Sequence, residues 1–119
     1  MGQAQDVIAE LREPTRSIRK AAPEAWAGFA ALHDAALADG ALPARVKELM
    51  ALVIAVAKQC DGCIVYHAKA AARSGASPEE VAEALSVALL MCGGPATVYG
   101  PRAWAAFEEF AYPAAPAIA

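Results

Sequence analysis

Apolar positions along the chain recur at helical spacing, and turn residues divide them into segments. A first helix is predicted over Gln5–Arg12. Pro14 should end it, because proline lacks an N–H and its ring crowds the carbonyl four residues back. A short second piece then follows through Lys20. The next helix opens at Pro23 with Glu24 beside it, both suited to a first turn. Its stripe is Trp26, Phe29, Ala30, His33 and Leu37, and Asp39-Gly40 stops it. Pro43 opens a third helix carrying Val46, Leu49, Met50, Val53, Ile54 and Ala57. That set is wide enough to need cover on more than one side.

The third helix breaks around Cys60-Asp61-Gly62-Cys63, where Gly62 weakens helix and Asp61 suits the N-cap of the next one. A fourth helix runs from about Gly62 to Ser74 and ends at Gly75. Ser77-Pro78-Glu79-Glu80 is a strong start signal: serine cap, proline at the first helical position, glutamate three residues after the cap. The fifth helix carries Val81, Leu85, Ala88, Leu89 and Cys92, and Gly93-Gly94-Pro95 punctuates it. A last helical stretch lies between Pro95 and Tyr112, with a break expected at Gly100-Pro101. It holds Trp104, Phe107 and Phe110. The chain then divides into an N-terminal helical arm (1–22), one helical domain (23–112) and a frayed tail (113–119).

Composition sharpens the fold class. Alanine makes up over a quarter of the chain; it is the strongest helix former and a poor strand residue. No segment alternates apolar and polar residues in the manner of a strand. The chain is therefore predicted to be all-α. A length of 119 residues fits one domain. A net charge of −3 removes the electrostatic case for binding nucleic acid. The longest apolar run, Leu49–Ala57, falls well short of the roughly 20 residues a membrane span needs. The N-terminus lacks the basic-then-apolar layout of a signal peptide. A cytoplasmic domain with no membrane partner is the expectation. Yet 58% of residues are hydrophobic and mean hydropathy is +0.34. So much apolar surface in a small domain predicts a homo-oligomer, with the third helix, the last helix or both at the interface.

The candidate chemistry lies at Cys60-Asp61-Gly62-Cys63, with His67 four residues after the second cysteine. A helix starting there points free N–H groups and partial positive charge at the thiols, which favours thiolate. The two-residue spacer is short enough for a disulfide. Cys63 and His67 share one helical face, so His67 can take a proton from Cys63 or return one to a leaving group. This selects Cys63 as the attacking thiol and Cys60 as the one that resolves it. Other readings stand beside it. Structural zinc would find Cys60, Cys63 and His67 but no evident fourth ligand. A c-type haem would need histidine where Ile64 stands, and is excluded. Two inert buried thiols are the plainest alternative.

The run Lys47-Glu48-Leu49 … Ala57-Lys58-Gln59-Cys60-Asp61-Gly62-Cys63-Ile64-Val65-Tyr66-His67 resembles the alkylhydroperoxidase D-like branch of the carboxymuconolactone decarboxylase superfamily. So do Gly75–Leu85 and Gly93-Gly94-Pro95-Ala96. The resemblance covers about Leu32 to Phe110. It implies an all-α thiol-dependent peroxidase, commonly a trimer or hexamer, with no metal and no organic cofactor. Hydroperoxide would react at Cys63 through a sulfenic acid, and Cys60 would act as proton donor and disulfide partner. His67 and Glu48 would form a proton relay, and an external dithiol or redox protein would restore the thiols. Some relatives carry histidine between the cysteines, where this chain has Gly62. The non-redox decarboxylase branch, with His67 and Glu48 as acid and base, and a thiol sensor or zinc-held module remain as alternatives.

Elementary geometry resists one of these assignments. Along a straight helix Glu48 lies about 18 Å from Cys60, and a hairpin turning at Asp61 would set Ala55 opposite His67. A lone glutamate in a helix's first turns usually serves the helix dipole. Cys92 and His33 fall on apolar stripes and read as core or interface residues. Tyr66 reads as packing, Trp26, Trp104, Phe107 and Phe110 as core or interface anchors, and Lys47, Lys58 and Lys69 as solvated.

Overall fold

The computed structural model describes residues 2–113; the predicted tail therefore lies, from residue 114 on, outside the described residues. Six helices follow one another: α1 (Gln3–Ala21), α2 (Pro23–Leu37), α3 (Ala44–Ala57), α4 (Asp61–Arg73), α5 (Pro78–Cys92) and α6 (Ala96–Ala111). No strand occurs among the described residues, so the fold is all-α as expected.

α4 is the hub. It packs most extensively on α6 and α3, and α1 lies along it as well. Its buried face is Ile64, Val65, Ala68 and Ala71. Facing it are Leu52, Ala55 and Val56 of α3 and Ala103, Ala106 and Phe107 of α6. Alanine at so many of these positions lets helix backbones approach closely, since interaxial distance follows side-chain size at the contact. Phe107 is the largest fully buried side chain. α1 is tied to this body: Ala4 is in the core, Val7 and Ile8 pack on it, and the Glu109 carboxylate of α6 accepts the free N–H groups of Ala4 (3.3 Å) and Gln5 (3.1 Å). A carboxylate at a helix N-terminus satisfies both its orphan donors and its dipole.

Three local expectations need correction. α1 is one continuous helix through Pro14, and α6 is continuous through Pro101. In each case the carbonyl deprived of its partner belongs to an exposed residue, Glu10 or Thr97, so solvent can replace the lost bond. The third correction concerns α3. Its buried face is Glu48, Leu52, Ala55 and Val56, whereas Met50 and Ile54 of the predicted stripe point out of the chain. The apolar excess is thus displayed on the outer face of α3, on Phe29 and Leu32 of α2, and on Leu90 and Met91 of α5. The aromatic side chains of α6 turn inward instead: Phe107 is buried, and Trp104 and Phe110 are half-buried against the core. α2 buries no residue; its backbone packs on α1 and α3, and its side chains reach toward α4.

The signal at Ser77 operates as read. Ser77 Oγ accepts the Glu80 N–H (3.1 Å), and Glu80 Oε1 accepts the Ser77 N–H (2.9 Å). Arg45 of α3 reaches Glu80 Oε2 at 3.1 Å and ties α3 to the start of α5. Ser77→Ala is expected to lower stability by about 1 kcal/mol. The Ser77 backbone N–H, then Arg45, hold the Glu80 carboxyl below its ordinary value of 4.5. A lowered folded-state value means that this stabilisation is present above the ordinary value and fades as pH falls through the lowered one. Glu80→Gln should therefore destabilise at about pH 6 and much less at about pH 3; urea melts showing equal losses at both would contradict the capping account.

Candidate active site

The site is built on the turn between α3 and α4. α3 closes with the Cys60 N–H on the Ala55 carbonyl (3.1 Å) and the Gln59 N–H on the Val56 carbonyl (3.1 Å), and Gln59 is left-handed at φ 55°. This is the double closure that normally places glycine at the left-handed residue. Gly75 fills that role in the same closure at the end of α4, with φ 85°. At Gln59 the chain carries a side chain there, a conformation that costs about 1–2 kcal/mol for a residue with a Cβ. Cys60 is the next residue, and it serves both helices. Its N–H closes α3, while its Sγ accepts the Cys63 N–H at 3.2 Å and caps α4. Cys60, not Asp61, is the N-cap. Asp61 lies in the first turn, 3.8 Å from Arg102 of α6.

Cys60 and Cys63 are joined by a disulfide, their Cα atoms 5.2 Å apart. The third cysteine, Cys92, is a free, half-buried thiol packed against the core. His67 stands one turn beyond Cys63. Its Nδ1 lies 2.9 Å from Glu48 Oε2 within the same chain. The obstacle foreseen from helix lengths dissolves at the turn. The reversal centres on Gln59 rather than Asp61, so the residue level with His67 is Ala51, and Glu48 is one helical turn away on the same face. Glu48 is the buried charged side chain of the described core, 5% exposed. A buried carboxylate needs partners to replace lost water, and the His67 ring provides one. With the carboxylate ionised, Nδ1–H donates to it and Nε2 is left as the basic nitrogen.

An open cleft of about 630 Å³ covers the thiols, with α4 as its floor and α2 on the other side. Cys60, Cys63 and His67 line it, and so do Phe29 and His33 of α2 and Tyr66, Lys69 and Arg73 of α4. Sequence reasoning assigned His33, Tyr66 and Lys69 elsewhere. His33 is no core residue: its ring stacks on that of His67, centroids 6.3 Å apart and planes 25° from parallel. Tyr66 faces the cleft, because the turn spares this side of α4 from cover. Lys69 sits 5.8 Å from the centroid of the Phe110 ring. Nothing in the periodicity of α2 marks His33 as a site residue; the signal is the polar side chain on an otherwise apolar stripe. Among the described residues no cluster of three or more His, Cys, Asp or Glu side chains is arranged to hold a metal ion.

Residues 23–110 match the carboxymuconolactone decarboxylase family. The chain belongs to that family. Its fold is similar to the apo crystal structure of a carboxymuconolactone decarboxylase family protein from Legionella pneumophila, at TM-score 0.89 and 40% identity over 92% of this chain and 97% of the other. An uncharacterized protein of Cupriavidus necator is 39% identical over 101 residues, 85% of this chain and 89% of its own length. The uncharacterized protein 4 in the cox locus of Paracoccus denitrificans is 42% identical over 81 residues, 68% and 73% of the two lengths. The family match begins where α2 begins, so α1 precedes it although it is packed into the same body. No helix among the described residues is long and apolar enough to cross a membrane.

Thiol titration of the denatured protein checks the pairing. Air-oxidised chain should yield one thiol, Cys92, and fully reduced chain all three; three thiols in the oxidised sample would remove the disulfide from the account.

Proposed function

We propose that this member of the family is a thiol-dependent hydroperoxide reductase of the alkylhydroperoxidase D-like kind, cycling Cys60 and Cys63 between dithiol and disulfide. The observation that carries the reading is the Cys60–Cys63 pair at the start of α4, with His67 one turn on and held by a buried Glu48. Cys63 is the attacking thiol: it is exposed in the cleft and shares a face with His67. Its sulfur takes the terminal oxygen of the hydroperoxide, the O–O bond breaks, and the alcohol leaves with a proton. Cys60 then displaces the hydroxyl of the sulfenic acid as water, forming the disulfide. A dithiol or redox protein of the cytoplasm reduces it again. His67 Nε2 receives and returns the proton, and Glu48 at Nδ1 stabilises the charged ring. His33 supplies a second imidazole at the position facing solvent, a service that Gly62 between the cysteines cannot give.

The same His67–Glu48 pair also suits a non-redox lyase, in which the cysteines are dispensable. Single-turnover oxidation of pre-reduced variants separates the two. Cys63→Ser should leave no peroxide consumption above background, because a hydroxyl is a far weaker nucleophile than a thiolate. Cys60→Ser should consume one equivalent and leave a sulfenic acid on Cys63 that a trapping reagent labels. Glu48→Gln should slow oxidation by about 10²-fold, the low end of lost acid–base assistance, and His33→Ala by less, about tenfold, because its imidazole acts beside His67 rather than in its place. Full rates in both cysteine variants would refute the peroxidase and favour the lyase.

The exposed apolar faces of α2, α3 and α5 support a homo-oligomer, a trimer or hexamer. Burying apolar surface stabilises by roughly 25 cal/mol per Å². Light scattering at micromolar concentration should give a mass at least three times 12.3 kDa; a stable species of chain mass would overturn the assembly.

A further inference from the structure

The cleft has a second end that the thiol chemistry does not use. Cys63, Tyr66, Ala70 and Arg73 rise along its α4 floor at steps of three and four residues, with Lys69 beside them. The cleft thus starts at two sulfurs and finishes at two cations. No Asp or Glu is among the side chains lining it. Neither Lys69 nor Arg73 forms an ion pair among the described residues, where Arg16, Arg45 and Arg102 each do. The Phe110 ring beneath Lys69 positions its ammonium without cancelling its charge. Arg73 is exposed at the mouth. Between the two ends the surface is aromatic or aliphatic: Phe29, Tyr66 and Ala70.

That layout selects a ligand with one anionic head and a long apolar body. A guanidinium is a two-pronged receptor for carboxylate, and an ammonium beside it adds a point charge. Ten residues of helix place Arg73 about 15 Å from Cys63. An extended acyl chain of about a dozen bonds covers that length, at roughly 3.6 Å for every three bonds. We propose that the cleft takes long-chain hydroperoxy acids, the carboxylate at Arg73 and Lys69 and the hydroperoxide at Cys63. This rests on the peroxidase reading for its chemistry, though not for its binding. The reaction is the one already written: Cys63 sulfur is oxidised, the hydroperoxy acid is reduced to the hydroxy acid, Cys60 closes the disulfide with loss of water, and a dithiol restores the pair.

The test has a binding arm and a chemical arm. Dansylamino-undecanoate fluorescence reports binding to oxidised protein. Arg73→Gln with Lys69→Gln should weaken it about tenfold or more, the scale of one lost charged hydrogen bond. In single turnover, linoleic acid hydroperoxide should oxidise the wild-type pair faster than its methyl ester, and the double variant should lower the acid-to-ester rate ratio about tenfold. Equal probe affinity in wild type and variant overturns the proposal, as does an acid-to-ester ratio near one in wild type. A variant that impairs only reduction by an acidic partner protein, with the ratio unchanged, also overturns it. Probe binding lost in the variant, with no peroxide consumed by either protein, supports the anionic site and removes the peroxidase reading instead.

Discussion

A carboxylate buried at 5% exposure in a domain of this size governs the arrangement around it. Glu48 sits on the inner face of α3 among Leu52, Ala55 and Val56, where an aliphatic side chain would pack without cost. An ionised carboxyl there has given up water and needs compensation. His67 provides it across the α3–α4 contact at 2.9 Å. That hydrogen bond adds a polar tie to the apolar α3–α4 packing and orients the imidazole, leaving Nε2 as the nitrogen turned away from Glu48. Among the described residues no buried side-chain nitrogen or oxygen lacks a partner, so the polar core is closed on itself.

The turn that makes this contact also builds the thiol site. Cys60 closes one helix with its backbone and caps the next with its sulfur. A sulfur in that position feels the N-terminal dipole of α4 and a direct N–H donor, both of which stabilise negative charge. On the proposed peroxidase reading, Cys60 is the thiolate that departs when a dithiol attacks the exposed Cys63 sulfur. The left-handed Gln59 just before it is the conformational cost of bringing Cys60 into this double role. Strain of this kind persists where the surrounding structure over-determines it.

Much of this was legible in the residues, and the parts that were not share a cause. The six segments, the capping box at Ser77 and the C-x-x-C at a helix start all follow from local rules, because caps, prolines and glycines act within one turn. Pro14 and Pro101 were misleading because the damage depends on whether the orphaned carbonyl meets water, and that is a tertiary property. The α3 stripe misled for a related reason: Met50 and Ile54 are as apolar as Leu52 and Val56, so hydrophobicity alone does not say which face meets α4. The polar outlier Glu48 marks the true inner face, and helix-length arithmetic concealed it because the turn centres two residues earlier than assumed. His33 reaches the cleft only because α2 folds back across α4, which no spacing within α2 encodes.

The central claim is that Cys60 and Cys63 carry the two electrons of a peroxide. Peptide mapping by mass spectrometry, after pre-reduced protein meets one equivalent of organic hydroperoxide, tests it most directly. The account predicts loss of two hydrogens confined to the peptide bearing Cys60 and Cys63, with Cys92 still a thiol and one equivalent of alcohol formed. Recovery of all three thiols beside unconsumed hydroperoxide, or oxidation confined to Cys92, would contradict it.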